Sequence, residues 1–126
     1  MNLGLYLHIP YCLHKCGYCD FNSHPENQVE SVHYVEALLK ELKFYSTTLK
    51  SYNVPTVFMG GGTPTILPPS QLKKILDTVR QGFNLTSDCE ITIEANPATI
   101  KLETLQEIHA AGYNRISIGV QSFDEK

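Results

Sequence analysis

Two hydrophobic periods, one typical of strands and one typical of helices, take turns along this chain. This pattern restricts its fold more than any other feature of the sequence. In residues 3–9, apolar side chains recur at every second position, which is typical of a strand with one buried face. The same period returns at residues 54–59, 89–94 and 115–120. Between these segments the apolar residues recur at the spacing of one helical face. The order βαβαβαβ predicts an α/β fold with parallel strands and right-handed crossovers.

Proline and glycine residues mark where these elements begin and end. Pro10 ends the first predicted strand, because its nitrogen has no hydrogen to donate to a neighbouring strand. Pro69 suits the first turn of the second helix, and Gly82 ends that helix. Gly112 ends the third helix in the same way. The sequence therefore predicts three helices, each connecting two strands.

Composition and charge exclude several classes of protein. With 42% hydrophobic and 18% charged residues, the 126-residue chain has the composition of one globular domain rather than of a disordered segment. Its net charge of −3 disfavours nucleic-acid binding, which needs many basic side chains. No apolar run reaches the roughly 18 residues that span a membrane, and the N-terminus lacks the pattern of a signal peptide. We therefore expect a cytoplasmic protein, in which cysteines stay reduced unless they bind a metal.

Unusual residues follow each predicted strand. A cysteine-containing segment follows the first strand, and three glycines at 60–62 follow the second. Glu94 closes the third strand, and Gln121 follows the fourth. Since parallel α/β proteins bind ligands at the carboxyl ends of their strands, the sequence predicts a ligand site at this edge of the sheet.

Three cysteines, Cys12, Cys16 and Cys19, lie within eight residues of one another. Their odd number and the reducing compartment disfavour a disulfide framework. Close thiolates are soft ligands that favour an iron–sulfur cluster or zinc. A zinc site would need a fourth ligand, such as a nearby histidine, whereas a four-iron cluster with three thiolates leaves one iron open. The spacing by itself leaves a cluster and a structural zinc site as alternatives.

The remaining candidate residues carry weaker signals. The glycine run before Thr63 is not a phosphate-binding loop, because it lacks the lysine of that motif, but it permits close approach of another backbone. A carboxylate at a strand end, such as that of Glu94, is more often solvated than a ligand. Cys89 lies in a predicted buried strand and is expected to be a small hydrophobic residue. His8 and His109 receive no role.

Four segments together resemble the radical S-adenosylmethionine (SAM) superfamily. They read YLHIPYCLHKCGYCDF at 6–21, GGGTPT at 60–65, EANP at 94–97 and GYNRISIGVQSF at 112–123. Their order and spacing are similar to those of the group that contains the oxygen-independent coproporphyrinogen III oxidases and the HemW heme chaperones. The resemblance covers nearly the whole chain. It implies that Cys12, Cys16 and Cys19 hold a [4Fe–4S] cluster whose open iron binds SAM.

The resemblance also implies contacts with SAM. Tyr18 would border the adenine, Glu94 would bind the ribose, and the glycine run would meet the methionine amino group. Gln121 matches a position that meets a second SAM in the oxidases. The complete set of SAM-binding residues implied in this way is Tyr6, Tyr18, Gly61, Gly62, Thr63, Glu94 and Gln121.

The two branches of this group imply different functions. The oxidases decarboxylate coproporphyrinogen III in heme biosynthesis and tend to carry a further cysteine two residues after the third cluster cysteine. Here that position is Phe21, preceded by Asp20, a pattern more similar to the heme-chaperone branch. The resemblance thus implies a heme chaperone, with the oxidase as the alternative and a zinc-binding module as a third hypothesis. A tetrapyrrole or heme, and a reductant such as flavodoxin or ferredoxin, would be the partners.

The length of the chain bears on the implied fold. Members of this group have a partial (β/α) TIM-like barrel, and a closed barrel of this kind needs about 200–250 residues. Residues 1–126 supply four predicted strands, so we expect them to form the N-terminal part of the barrel, with helices outside and a C-terminal part absent. We further expect the isolated chain to bind a cluster without completing a reaction cycle.

Overall fold

The computed structural model describes residues 1–12, 24–25 and 28–119. These residues form strands and helices in the predicted alternation. The elements, in chain order, are β1 (Asn2–Ile9), β2 (Tyr11–Cys12), β3 (His24–Pro25), α1 (Gln28–Thr48), β4 (Asn53–Gly61), α2 (Pro69–Gly82), β5 (Asn84–Ala95), α3 (Leu102–Ala111) and β6 (Arg115–Ile118). Short 3-10 helices occupy Pro64–Ile66 and Pro97–Thr99.

The main sheet has four strands in the order β1-β4-β5-β6, and every neighbouring pair is parallel. Each strand is connected to its neighbour by one of the three long helices, as a chain of βαβ units requires. The prediction of an α/β fold with parallel strands is confirmed. A second ladder of two residues pairs β2 with β3.

The hydrophobic core lies between the main sheet and the helices. Strand residues such as Leu7, Met59 and Ile93 are at most 5% exposed, and they pack against the buried stripe of α2. That stripe consists of Leu72, Ile75, Leu76 and Val79. Because right-handed crossovers place α1, α2 and α3 on the same side of the sheet, none of the α-helices that the structure describes covers the opposite face.

Two strands, β4 and β5, are longer than the hydrophobic periods suggest, whereas β6 ends at Ile118, short of the predicted residue 120. The second predicted strand runs through Gly60 into Gly61, and the third begins at Asn84 rather than at residue 89. The register between β4 and β5 shifts around Pro55, which cannot donate a hydrogen bond to a neighbouring strand. The extra residues of β5, 84–88, lie at this irregularity, so the alternation of apolar residues in β5 does not extend across it.

The predicted helix boundaries agree with the structure at the second and third helices. Helix α2 runs from Pro69 to Gly82, and α3 ends at Ala111. Gly112 follows α3 with φ +119°, a left-handed conformation that ends a helix and favours glycine. In the described part of the chain, no helix is long and apolar enough to cross a membrane.

Candidate functional site

The helix-free face of the sheet carries rows of residues contributed by neighbouring strands. Tyr6 of β1 is paired with Phe58 of β4, which is paired with Thr92 of β5. One step closer to the carboxyl ends, His8 is paired with Gly60. Glu94 follows Ile93, the partner of Met59, and therefore lies beside Gly60 in the same row. This row forms the edge at which the sequence predicts a ligand site.

Gly60 lies between two polar side chains of this row. A Cβ at this position would lie 2.7 Å from Glu94 Oε1 and 2.8 Å from Phe58 Cε1. In proteins, a Cβ atom essentially never lies this close to another heavy atom. Only glycine therefore fits at position 60 without displacing Glu94 and Phe58. The surface between His8 and Glu94 is therefore backbone, with the Phe58 ring below it.

The glycine loop, defined as residues 60–63, crosses the end of β1. The Gly62 N–H donates to the Ile9 carbonyl oxygen at 2.7 Å, and the Thr63 N–H donates to the Tyr11 carbonyl oxygen at 2.6 Å. Gly61 has φ +113°, which favours glycine. A Cβ at Gly62 would overlap with the Tyr11 carbonyl group. Close packing of two backbones therefore requires glycine at both positions.

Tyr6 lies on the polar face of β1, below His8. Its ring stacks on that of Phe58 with a centroid distance of 5.9 Å and an interplanar angle of 16°. Its hydroxyl oxygen is 3.3 Å from His8 Nδ1. Burial, followed by the nearby Glu94 charge, raises the pKa of Tyr6. With 57% of its surface exposed, Tyr6 presents both a ring face and a hydroxyl group to a ligand.

Glu94 is the described carboxylate of the site. Its side chain is half-buried, and this loss of hydration raises its pKa, while the neighbouring His8 lowers it. A partly desolvated carboxylate accepts hydrogen bonds more strongly than one in bulk water. The Glu94 carboxylate is therefore suited to accept hydrogen bonds from ligand hydroxyl or amino groups.

Helix α1 holds the end of β1 in place. The Tyr34 hydroxyl donates to the His8 carbonyl oxygen, and the Tyr34 ring meets that of Tyr11 edge-on at 5.7 Å. The Tyr11 hydroxyl donates to the Glu30 carbonyl oxygen at 3.3 Å. These contacts fix the backbone immediately before Cys12, and so determine where the cysteine segment begins.

The residues on either side of the cysteine segment lie next to each other. Cys12, in β2, is paired with Pro25, in β3. The two ends of the intervening segment are thus adjacent, and Tyr11, the first residue of β2, accepts a hydrogen bond from the glycine loop. Cys16, Cys19 and Tyr18 lie outside the described residues, and so does Gln121. For Cys12 only the backbone is described.

The structure brings together the predicted residues that it describes. Tyr6, Glu94 and the glycine loop meet at one edge of the sheet, although they come from three separate strands. Within residues 1–12, 24–25 and 28–119, no group of three or more His, Cys, Asp or Glu side chains is arranged to hold a metal. Cys89 is buried in β5, as predicted, and His109 is exposed on α3.

Sequence reasoning missed two residues of this site, His8 and Phe58. Both lie on the polar face of their strands, in the rows that contain Glu94 and Tyr6. The period of two in β1 and β4 could have identified them, because it places every second residue of a strand on the same face of the sheet. The pairing register between the strands was also needed, and the period of each strand does not supply it.

The fold and the site define a class of protein. Four parallel strands with helices on one face, and a glycine loop and a carboxylate at their carboxyl ends, are the arrangement of part of a TIM-like barrel, a fold in which active sites lie at that edge. In a comparison with sequence models of protein families, the Radical SAM superfamily matches residues 6–126. The chain belongs to this superfamily, as its sequence motifs predicted.

Individual relatives agree with this assignment. The chain is 46% identical to the heme chaperone HemW of Escherichia coli K12, over 98% of this chain and 33% of the relative. It is 44% identical to HemW of Mycobacterium tuberculosis H37Rv, over 94% and 31%. It is 38% identical to the anaerobilin synthase of Escherichia coli O157:H7, over 97% and 28%. The chain spans about a third of the length of the curated relatives it matches.

The fold is also that of a solved relative. The structure of coproporphyrinogen III oxidase (HemN) from Escherichia coli, a radical SAM enzyme, matches this chain with a TM-score of 0.90 and 35% identity. The match covers 98% of this chain and 29% of the oxidase chain. The prediction of a partial TIM-like radical SAM barrel is confirmed at the level of the fold.

Proposed function

We propose that the full-length protein containing this chain is a heme chaperone that binds a [4Fe–4S] cluster and SAM. The observation that carries the proposal is the 46% identity to HemW over 98% of the chain. Phe21 adds support, because it occupies the position at which the oxidases tend to carry a further cysteine. In this proposal, residues 1–126 are the N-terminal part of the radical SAM core.

Three thiolates would hold the cluster, namely those of Cys12, Cys16 and Cys19. When bound, the cluster supplies one electron and an open iron site for the amino and carboxylate groups of SAM. The glycine loop is bonded to the residues directly before Cys12, so it can lie beside a ligand of that cluster. Its bonding in the structure is consistent with a role in binding the methionine part of SAM.

The described residues fit the chemistry of SAM. Gly60 and its neighbours leave a backbone surface that any Cβ would fill, which admits a ligand close to the sheet. Beside this surface, the Glu94 carboxylate suits the ribose hydroxyl groups, and the Tyr6 hydroxyl suits a polar group of the ligand. Gly61, Gly62 and Thr63 would approach the methionine part. Tyr18, beside the adenine, and Gln121 complete the proposed set.

The chain's own residues would orient SAM and limit water around it. The stacked rings of Tyr6 and Phe58 form an apolar floor, and the half-buried Glu94 supplies a directed acceptor. Holding a reacting molecule in one orientation is how proteins of this kind direct the chemistry of a bound cofactor. The proposed partners are heme or another tetrapyrrole, and a flavodoxin or ferredoxin as reductant, in the cytoplasm.

An oxygen-independent coproporphyrinogen III oxidase is the second candidate function. The TM-score of 0.90 to HemN supports it, since the two proteins share this part of the fold. Identity favours the chaperone, because the match to HemN is 35% and the match to HemW is 46%. The two functions differ in what happens to a tetrapyrrole, so they are separable by experiment.

The cluster is tested by metal analysis of the full-length protein after anaerobic reconstitution. We expect about four iron and four sulfide ions per chain, and a spectrum of the reduced cluster that shifts when SAM is added. Cys16→Ala should lose the cluster, and the matched control Cys89→Ala, in the buried part of β5, should retain it. Stoichiometric zinc without sulfide would contradict the proposal.

The choice between chaperone and oxidase needs two assays on the same preparation. For a heme chaperone we expect saturable heme binding at one equivalent and no decarboxylation of coproporphyrinogen III with reductant and SAM present. Decarboxylation with repeated turnover would instead establish the oxidase.

A further inference from the structure

His8 lies between two parts of the site that come from different strands. Its Nδ1 is 3.3 Å from the Tyr6 hydroxyl oxygen, within hydrogen-bond distance. On the other side, the imidazole lies against the glycine loop, since a Cβ at Gly61 would be 2.7 Å from Nδ1 and 2.8 Å from Cε1. One ring therefore lies against both the hydroxyl-bearing residue of β1 and Gly61, the last residue of β4.

The backbone of His8 is fixed independently of its side chain. Its carbonyl oxygen accepts a hydrogen bond from the Tyr34 hydroxyl of α1, and the residue is paired with Gly60 in the sheet. A residue held on both sides in this way presents its side chain in a reproducible direction. The contacts of the imidazole are therefore a property of the fold and do not require a ligand.

We propose that His8 is a positioning residue of the SAM site: its imidazole orients the Tyr6 hydroxyl and supports the glycine loop at Gly61. This inference rests on the proposed function, since it assigns His8 a part in binding the same ligand. Tyr6 is 57% exposed, so without His8 its hydroxyl group would hydrogen-bond with water. Fixing that group before the ligand arrives lowers the entropy cost of binding.

The dissociation constant of SAM tests the inference in the full-length protein with a reduced cluster, using the spectral shift as readout. His8→Leu keeps a side chain of similar bulk against Gly61 but removes the hydrogen bond, and should weaken binding about five- to tenfold. His8→Asn places a polar atom near the position of Nδ1 and should stay within about twofold of wild type. Rescue by asparagine would not occur if bulk alone mattered.

A double-variant comparison tests whether His8 acts through Tyr6. Tyr6→Phe keeps the ring stacked on Phe58 and removes the hydroxyl group. If His8 orients that group, Tyr6→Phe combined with His8→Leu should bind SAM no more weakly than Tyr6→Phe alone. The inference would be overturned if the fold-changes in the dissociation constant of the two single variants multiplied in the double variant. It would also be overturned if His8→Leu bound SAM with wild-type affinity. His33→Asn, exposed on α1, is the matched control.

Hydrogen exchange in the cluster-free protein provides a second readout that needs no SAM. His8→Ala removes the ring from Gly61, and the Gly62 amide, which is bonded to Ile9, should then exchange faster. The Val57 amide in the core strand β4 should be unchanged if the fold is intact. An unchanged exchange rate at the Gly62 amide would contradict the claim that the His8 imidazole supports the glycine loop. Wild-type protein that binds no SAM would instead contradict the proposed function.

Discussion

The Thr63 N–H donates a 2.6 Å hydrogen bond to the Tyr11 carbonyl oxygen, at the residue directly before Cys12. A second bond, from Gly62 to Ile9, lies beside it at 2.7 Å. These two bonds join the loop after β4 to the start of the cysteine segment. A change in the glycine loop should therefore alter the position of the first proposed cluster ligand.

Gly62→Ala is the most direct test of this connection. The new Cβ would overlap with the Tyr11 carbonyl group, so we expect a loss of about 1–3 kcal/mol in the free energy of unfolding and less iron after reconstitution. Urea denaturation and iron analysis measure the two effects. Gly4→Ala, at the other end of β1, needs only a shift of the Thr56 hydroxyl and should change stability by less than about 1 kcal/mol. Equal behaviour of the two variants would contradict the prediction.

Glu94→Gln should weaken SAM binding while stabilising the ligand-free protein at neutral pH. Burial raises the pKa of Glu94 above its ordinary value of 4.5. The protonated form therefore contributes stability that is fully present below pH 4.5 and is lost as the pH rises through the folded-state pKa. A neutral glutamine avoids that loss.

Urea denaturation at several pH values measures the effect of Glu94→Gln. The variant should exceed wild type in stability at pH 7.5, and the difference should shrink as the pH falls towards 4.5. Glu107→Gln, exposed on α3, is the matched control and should leave SAM binding at the wild-type level. A stability difference between Glu94→Gln and wild type that grows as the pH falls would contradict the prediction, because it would mean that folding lowers the pKa of Glu94.

Asn114→Ala should destabilise the fold without touching the site. The Asn114 side chain accepts a hydrogen bond from the Ile91 N–H at 2.8 Å and donates one to the Cys89 carbonyl oxygen at 2.9 Å. Both partners belong to β5 and would lose a bond, at a cost of about 1–3 kcal/mol by urea denaturation. Asn84→Ala removes an exposed hydrogen bond to Asn53 and should cost less than about 1 kcal/mol.

Cys89 should resist alkylation in the folded protein. Its side chain is 6% exposed, and burial raises the pKa of the thiol, so little reactive thiolate is present near neutral pH. Mass spectrometry after brief iodoacetamide treatment at pH 7.5 should find Cys89 unmodified, and modified once urea is added. Modification of Cys89 at the same rate with and without urea would contradict its burial in β5.

The sequence was sufficient to predict the fold class and the bounds of α2 and α3. Apolar residues at every second position identified the strands, and the stripe from Leu72 to Val79 identified α2. Gly112 marked the end of α3, because the backbone takes a left-handed conformation there and this conformation favours glycine. These predictions succeeded because each depends on neighbouring residues within one element.

The sequence was less informative where two strands meet. The N-terminal half of β5, from Asn84, has no clear alternation, and its pairing with β4 shifts near Pro55. His8 and Phe58 were missed for a related reason. Each gains its place in the site through pairing with a residue of another strand.

By itself, the sequence determined the family, the order of the elements and the residue types at the predicted ligand edge. These follow from local periodicity and from short motifs, which are encoded by residues close together in the chain. Only the tertiary structure decided that His8 touches both Tyr6 and Gly61, and that Gly60 lies beside Glu94. The physical reason is register: a shift of one residue between parallel strands would move these side chains to the helix-covered face.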